Sequence, residues 1–366
     1  RNTQNSSANG SGWIAGSHLK NVIIRHANTG IYLYNQGLAI DSTTFEDNTN
    51  AIELRKTNGV FIARSVFRRN TYGVWTAYEP FGEPDTYGDF VNTWLSDNSF
   101  ISNTVGIEIN PNQRATNNLN ITSNWFEDNG SGLRWGGGGY GIRDANPMTV
   151  SGNRFWGNGV GAFFKAYGGT FNISIANNSF GDNSQAIMLD PAYNTMRITD
   201  NFFYRNDASL WMLGVQLSDA VENNLFSEDS TVFRLTSGGG GRYFSAKRNV
   251  IHSTQKIIVD LEAGMSSFSF QQNVVTATTS SGTWFSNRTP TNISFESNFI
   301  DWGGSTSSAK IFDGIDNADY GIITLMSPLA TATASTTTRA ASEIPTRIQD
   351  FDRGMLVSQR TGPRRR

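Results

Sequence analysis

Asn153-Arg154-Phe155, Asn178-Ser179-Phe180, Asn201-Phe202-Phe203 and Asn224-Leu225-Phe226 repeat one phrase: Asn, any residue, a large apolar residue. Before them stand Asn98-Ser99-Phe100 and Asn124-Trp125-Phe126. After them come Asn249-Val250-Ile251, Asn273-Val274-Val275 and Asn298-Phe299-Ile300. Upstream, Ile24, Phe45 and Phe67 fill the apolar slot, with Thr43 and Ser65 in the Asn place before the last two. From 24 to 300 the steps are 21, 22, 33, 26, 29, 25, 23, 23, 25, 24 and 25 residues. A period in the twenties over most of a chain is the mark of a solenoid.

Each phrase sits between short segments of alternating polarity. Phe45 precedes Asn48, Ile52 and Leu54; Phe100 precedes Asn103, Ile107 and Ile109; Phe180 precedes Asn183, Ile187 and Leu189. Period two means strand, and no stretch shows an apolar 3.6 repeat. Two or three short strands per coil predict an all-β fold: a right-handed, single-stranded parallel β-helix of about twelve coils. At roughly 4.8 Å per coil the rod is about 55–60 Å long. The Asn column is read as a structural ladder. Asn tolerates the left-handed backbone of a sharp bend, and stacked amides can hydrogen-bond along the axis.

The chain divides into an N-terminal arm at 1–16, a β-helix with its cap at 17–329, and a low-complexity linker with an Arg-rich tail at 330–366. Residues 1–12, mostly Asn, Ser and Gly, read as a mobile arm. Net charge is −2 and charged residues are 16%, which gives no nucleic-acid footprint. Cysteine is absent, so no disulfide framework or thiol chemistry is expected. No apolar run is long enough to span a membrane. The sequons at Asn5, Asn9, Asn120, Asn129, Asn172, Asn177, Asn287 and Asn292 fit a glycosylated exported protein. An extracellular or cell-surface location is expected.

The two longest steps, 33 and 29 residues, place extra chain after the second strand of their coils. Solenoid insertions gather on one face, often the binding face. The excursions carry Tyr78, Glu79, Glu83, Asp85 and Asp89, then Arg114, then Tyr140 and Arg143, and later Tyr167 and Tyr193. All should stack at one corner. Beside it, the position eight residues after the ladder apolar residue should face outward. That column reads Glu53, Trp75, Glu108, Arg134, Phe163, Met188, Trp211, Arg234 and Val259. Outward aromatics suggest a binding strip, for which Trp75, Tyr78, Glu79, Glu83, Asp85, Trp135, Tyr140, Arg143, Phe163, Tyr193 and Trp211 are the candidate residues.

The ladder, the period and the stretch from Asn298-Phe299-Ile300-Asp301-Trp302-Gly303 to Ser327-Pro328-Leu329 resemble right-handed parallel β-helix repeat proteins. The resemblance is to the pectin-lyase-like superfold, and within it to secreted bacterial NosD-like proteins. It implies the fold and a closing cap near 298–329. It does not choose among the lyases, hydrolases, epimerases, tailspikes and adhesins built this way.

Catalysis in such folds needs paired carboxylates at a defined separation. The chain has no Asp-Asp pair. Glu53 and Glu108, two coils apart with Trp75 between, and Arg134 beside them are the candidate catalytic set. Glu79, Glu83, Asp85 and Asp89 carry enough oxygens for Ca²⁺ but lack a known loop spacing. His18, His26 and His252 make no three-ligand metal set, and no resident cofactor is expected. The leading expectation is an exported structural rod whose partners are other copies of itself, neighbouring surface proteins or a polysaccharide. A polysaccharide lyase or glycoside hydrolase is the alternative.

Overall fold

The computed structural model describes residues 7–9, 12–15, 17–34, 36–55, 57–76, 91–109, 117–136, 145–165, 171–190, 195–213, 217–236, 243–253, 257–261, 267–277, 281–287, 292–296, 298–301, 308–313 and 323–326. They form a parallel β-solenoid of three sheets. The first sheet has 13 strands, from His18–Lys20 to Ile323–Met326. The second has 12, from Ile23–Arg25 to Phe299–Asp301, and the third has 12, from Thr29–Tyr34 to Ser308–Asp313. Each coil gives one strand to each sheet, in agreement with the expected twelve.

The second sheet is built on the ladder phrase. Its strands are mostly three residues long, and the central one points inward. Phe45, Phe67, Phe100, Phe126, Phe155, Phe180, Phe203 and Phe226 occupy that centre, each 0% exposed. Their rings stack coil on coil at 4.6–5.1 Å between centroids. Stacking adds about 0.5–1.5 kcal/mol per pair beyond the area each ring buries. Glycine opposite the rings makes the fit. A Cβ on Gly161 would stand 2.5 Å from the Ala186 carbonyl oxygen and 3.1 Å from the Phe180 ring.

Both ends of this short strand are tight corners, and each carries its own buried amide column. The first runs from Asn98 to Asn298. Asn153 is typical: its backbone N–H and its Nδ2 donate to Asn178 Oδ1 at 2.9 and 3.0 Å. Nδ2 also donates to the carbonyls of Ile121 and Ser151 at 2.8 and 3.1 Å. Ser65 and Thr43 continue the column upward with hydroxyls, Thr43 N–H donating to Ser65 Oγ at 3.1 Å. The second column runs Asn48, Asn70, Asn103, Asn129, Asn158, Asn183, Asn206 and ends on Asp229.

The expected reason for the asparagines needs correcting. The left-handed residue is the one before the Asn: Asp97, Ser123, Asn177, Asp200 and Asn223 at the first corner, and Asp47, Ser102, Asp128 and Asp182 at the second, with φ of 53–57° across the two sets. The ladder Asn itself must turn its amide inward to reach the neighbouring coils. The outward residue before it takes the bend, at about 1–2 kcal/mol when it has a Cβ, offset by the buried hydrogen bonds. Asn129 is likewise 2% exposed within the second ladder, so this sequon is closed to glycosylation.

Within the stretch 1–12 read as a mobile arm, Ser7–Asn9 forms a strand that pairs antiparallel with Gly12–Ala15. In the stretch read as a closing cap, Phe299–Asp301, Ser308–Asp313 and Ile323–Met326 pair in parallel with the coil before them.

Candidate functional site

The long excursions up to residue 194 leave the third sheet and enter the first. The strands that end at Thr76, Ile109, Gly136, Lys165 and Asp190 are followed by those that begin at Val91, Asn117, Ala145, Phe171 and Thr195. The loops therefore leave along one corner, as their offsets imply. Tyr78, Glu79, Glu83, Asp85, Asp89, Arg114, Tyr140, Arg143, Tyr167 and Tyr193 lie outside the described residues, as does the proposed Ca²⁺ set.

The strip beside that corner is a single register column. Pairing runs Tyr32, Glu53, Trp75, Glu108, Arg134, Phe163, Met188, Trp211, Arg234 and Asp260. Tyr32, one coil above the strip as read from sequence, is 51% exposed. Val259 was expected at its far end, but Val259 is buried in the core and Asp260 takes the outward place. The corner after Ile251 is one residue longer than its predecessors, which shifts the count. Trp135 is 1% exposed and faces inward, nine residues after Phe126, so it belongs to the core and not to the strip. Trp75, Phe163, Met188 and Trp211 are partly exposed.

The two carboxylates do face outward, with Trp75 between them, and each is engaged by arginine. Arg55 donates to Glu53 Oε1 from Nε and from a terminal nitrogen, both at 2.8 Å. Arg134 forms an ion pair with Glu108 across one coil step. Further along, the Arg234 guanidinium lies 5.7 Å from the Trp211 ring centre, and Trp211 Nε1 donates to Thr236 Oγ1 at 3.4 Å. Each carboxylate is bound to a guanidinium. The strip is thus a row of partly exposed rings and neutralised charges.

A second outward group escaped the sequence reading. It lies on the second sheet, where side chains flanking the ladder Phe face out. Arg154 sits 4.4 Å from the Trp125 ring centre and 4.7 Å from that of Trp156. Trp125 Nε1 donates to Glu127 Oε2 at 3.1 Å. Burial beneath the indoles lowers the Arg154 proton affinity, while Glu127 opposes the shift. Trp156 and Tyr204 approach to 6.3 Å, and Phe202 and Tyr204 to 6.0 Å. The signal was present in the phrase itself: Trp125 precedes Phe126, and Trp156 follows Phe155.

Residues 2–180 match the family described as right handed beta helix region. Residues 114–259 match the family described as periplasmic copper-binding protein (NosD). No curated protein and no solved structure matches. Copper favours imidazole and sulfur ligands, and the described residues contain no group of three or more His, Cys, Asp or Glu side chains placed to hold a metal. His18 lies on the first sheet and His26 at the second corner of the same coil, while His252 shares a 2.8 Å hydrogen bond through Nδ1 with Thr276 Oγ1 many coils away.

Proposed function

The chain is a right-handed parallel β-helix repeat protein of the NosD-like type, and on that premise we propose that it is an exported, non-catalytic rod. Its outward aromatic residues make contacts with glycans or with further copies of itself. The observation that carries this reading is how the paired carboxylates are held. Glu53 and Glu108 stand two coils apart, about 9.6 Å; they are 6% and 7% exposed, and each is ion-paired, with Arg55 and Arg134 respectively. A hydrolase needs both carboxyl groups open to the glycosidic bond. A binding rod needs only the rigid spacing and the exposed rings. Export is supported by the resemblance to a periplasmic family.

The test sets binding against catalysis. The purified chain is incubated with neutral and acidic polysaccharides while reducing ends and unsaturated uronate are measured. The rod reading expects neither product. Polysaccharide breakdown that Glu108→Gln abolishes would replace it with the lyase or hydrolase alternative. Assembly is followed by light scattering and electron microscopy. Regular polymers that Trp211→Ser disperses would assign the third-sheet strip to self-association, and a strictly monomeric chain would remove assembly from the proposal.

A further inference from the structure

The aromatic group on the second sheet has a geometry that simple packing does not require. A Cβ built on Gly181 would lie 2.2, 2.3 and 2.4 Å from three consecutive carbons of the Trp156 six-membered ring. Near-equal distances to three neighbouring carbons place that point over the ring's face, not beside its edge. The indole therefore lies face-down across the next coil, on the one position of this column where no side chain stands beneath it. The indole is partly exposed. Arg154, overlapping both Trp125 and Trp156, holds the two indoles in a fixed relation, and Glu127 fixes Trp125 through its indole N–H.

The platform spans four consecutive coils, those of Trp125, Trp156, Gly181 and Tyr204, or about 14 Å along the rod axis. Both corners flanking it are tight in these coils and fully described, so no long loop borders the platform. That separates it from the third-sheet strip, whose bordering corner carries the long excursions of the same coils.

We propose that this face of the second sheet, centred on Trp156 above Gly181, is a stacking platform for a neutral polysaccharide chain lying along the rod axis. The inference rests on the reading of the protein as a non-catalytic rod with glycan contacts, and it moves those contacts to a different face. The chemistry selects the ligand class. Pyranose rings present apolar C–H faces to indole, while the bordering Arg154 and Glu127 provide a donor and an acceptor for hydroxyls. Charge selects within the class. Arg154 and Arg205 are set against Glu127, Asp128 and Asp182, and Arg205 is already paired with Asp182 at 2.9 Å. That balance offers no net attraction to a uronate polymer.

The experiment measures binding of the full chain to a soluble β-1,4-linked glucan oligosaccharide and, separately, to polygalacturonate. Calorimetry and tryptophan fluorescence are the readouts. Binding of the glucan is expected to fall about tenfold in Trp156→Ala, the size of one aromatic stacking contact, and to be largely retained in Trp156→Phe. Gly181→Ala should weaken it with Trp156 still present, because the added methyl lifts the indole. Circular dichroism verifies that each variant keeps its strands. Arg248→Ala, at an exposed corner several coils from Trp156, should bind like the unaltered chain. Unchanged binding in Trp156→Ala overturns the proposal. So does loss of binding in Trp211→Ser alone, which would return glycan contact to the third-sheet strip and leave the rod reading intact. Preference for polygalacturonate, or no binding to either polymer, overturns it as well. Only polysaccharide breakdown would overturn the rod reading itself.

Discussion

The two amide columns stand at opposite ends of the same short strand, yet they end differently. The first passes without interruption from Asn98 to Asn298. The second stops at Asp229, which accepts from the backbone N–H and the Nδ2 of Asn206 at 2.8 and 2.9 Å. One coil further on, the corner lengthens and the outward register slips from the place expected for Val259 to Asp260. The first corner keeps its length throughout. An amide ladder persists only where successive corners superpose, since each Oδ1 must meet two N–H groups one coil away. The ladder thus reports constant corner geometry, and its end marks the coil where that geometry changes.

The terminal carboxylate differs from the amides above it in charge. Burial pushes Asp229 up to about 7, against the opposing hydrogen bonds from Asn206. Its protonated form resembles the amide that fills this place in earlier coils.

The contrast between ladder interior and corner exterior can be broken experimentally. Phe155→Ala removes a ring stacked on both sides and leaves a cavity, so denaturant unfolding should show a loss of about 3–5 kcal/mol. Asn183→Ala strips the two hydrogen bonds that its Nδ2 donates, to the Phe155 carbonyl and Asn206 Oδ1, and the two that its Oδ1 accepts from Asn158, which orphans the Asn158 backbone N–H. A cost of about 1–3 kcal/mol for each buried group left unsatisfied is expected, read as a lower midpoint. At Asp229 the folded-state value lies above the unfolded one, so the unfolded chain binds fewer protons between about pH 4 and about 7. Stability should therefore fall as pH rises through that window and level off above it, and Asp229→Asn should flatten the melting temperature across it. A wild-type chain with no such fall would refute the assignment. Arg205→Ala, one residue from the buried Asn206, removes an exposed pair with Asp182 and a contact with the Tyr204 ring. Its effect should stay near or below about 1 kcal/mol and shrink in high salt.

Much of this architecture was legible because it repeats. Phe and Asn recur at the coil period, and both must be buried for the stack to close, so spacing alone points to their columns. The outward column was legible from Glu53 to Arg234 for the same reason, and a single extra residue near 254–256 was enough to displace its end. Trp135 shows the limit within one strand. Inward and outward positions alternate, and an aromatic one place off the column belongs to the core. The indole platform was overlooked because its residues flank the ladder Phe, where most coils hold small or charged side chains.

By itself the sequence determined the solenoid, its period, its inward columns and the corner where long loops leave. These follow from apolar burial and backbone hydrogen bonding repeated at a fixed interval. Only the tertiary structure decided which outward residues meet. Arg134 on Glu108, Arg154 over Trp125 and Trp156 above Gly181 join residues separated by a full coil. Such contacts depend on register and rotamer, and a one-residue change in any corner would rearrange them while leaving the period intact.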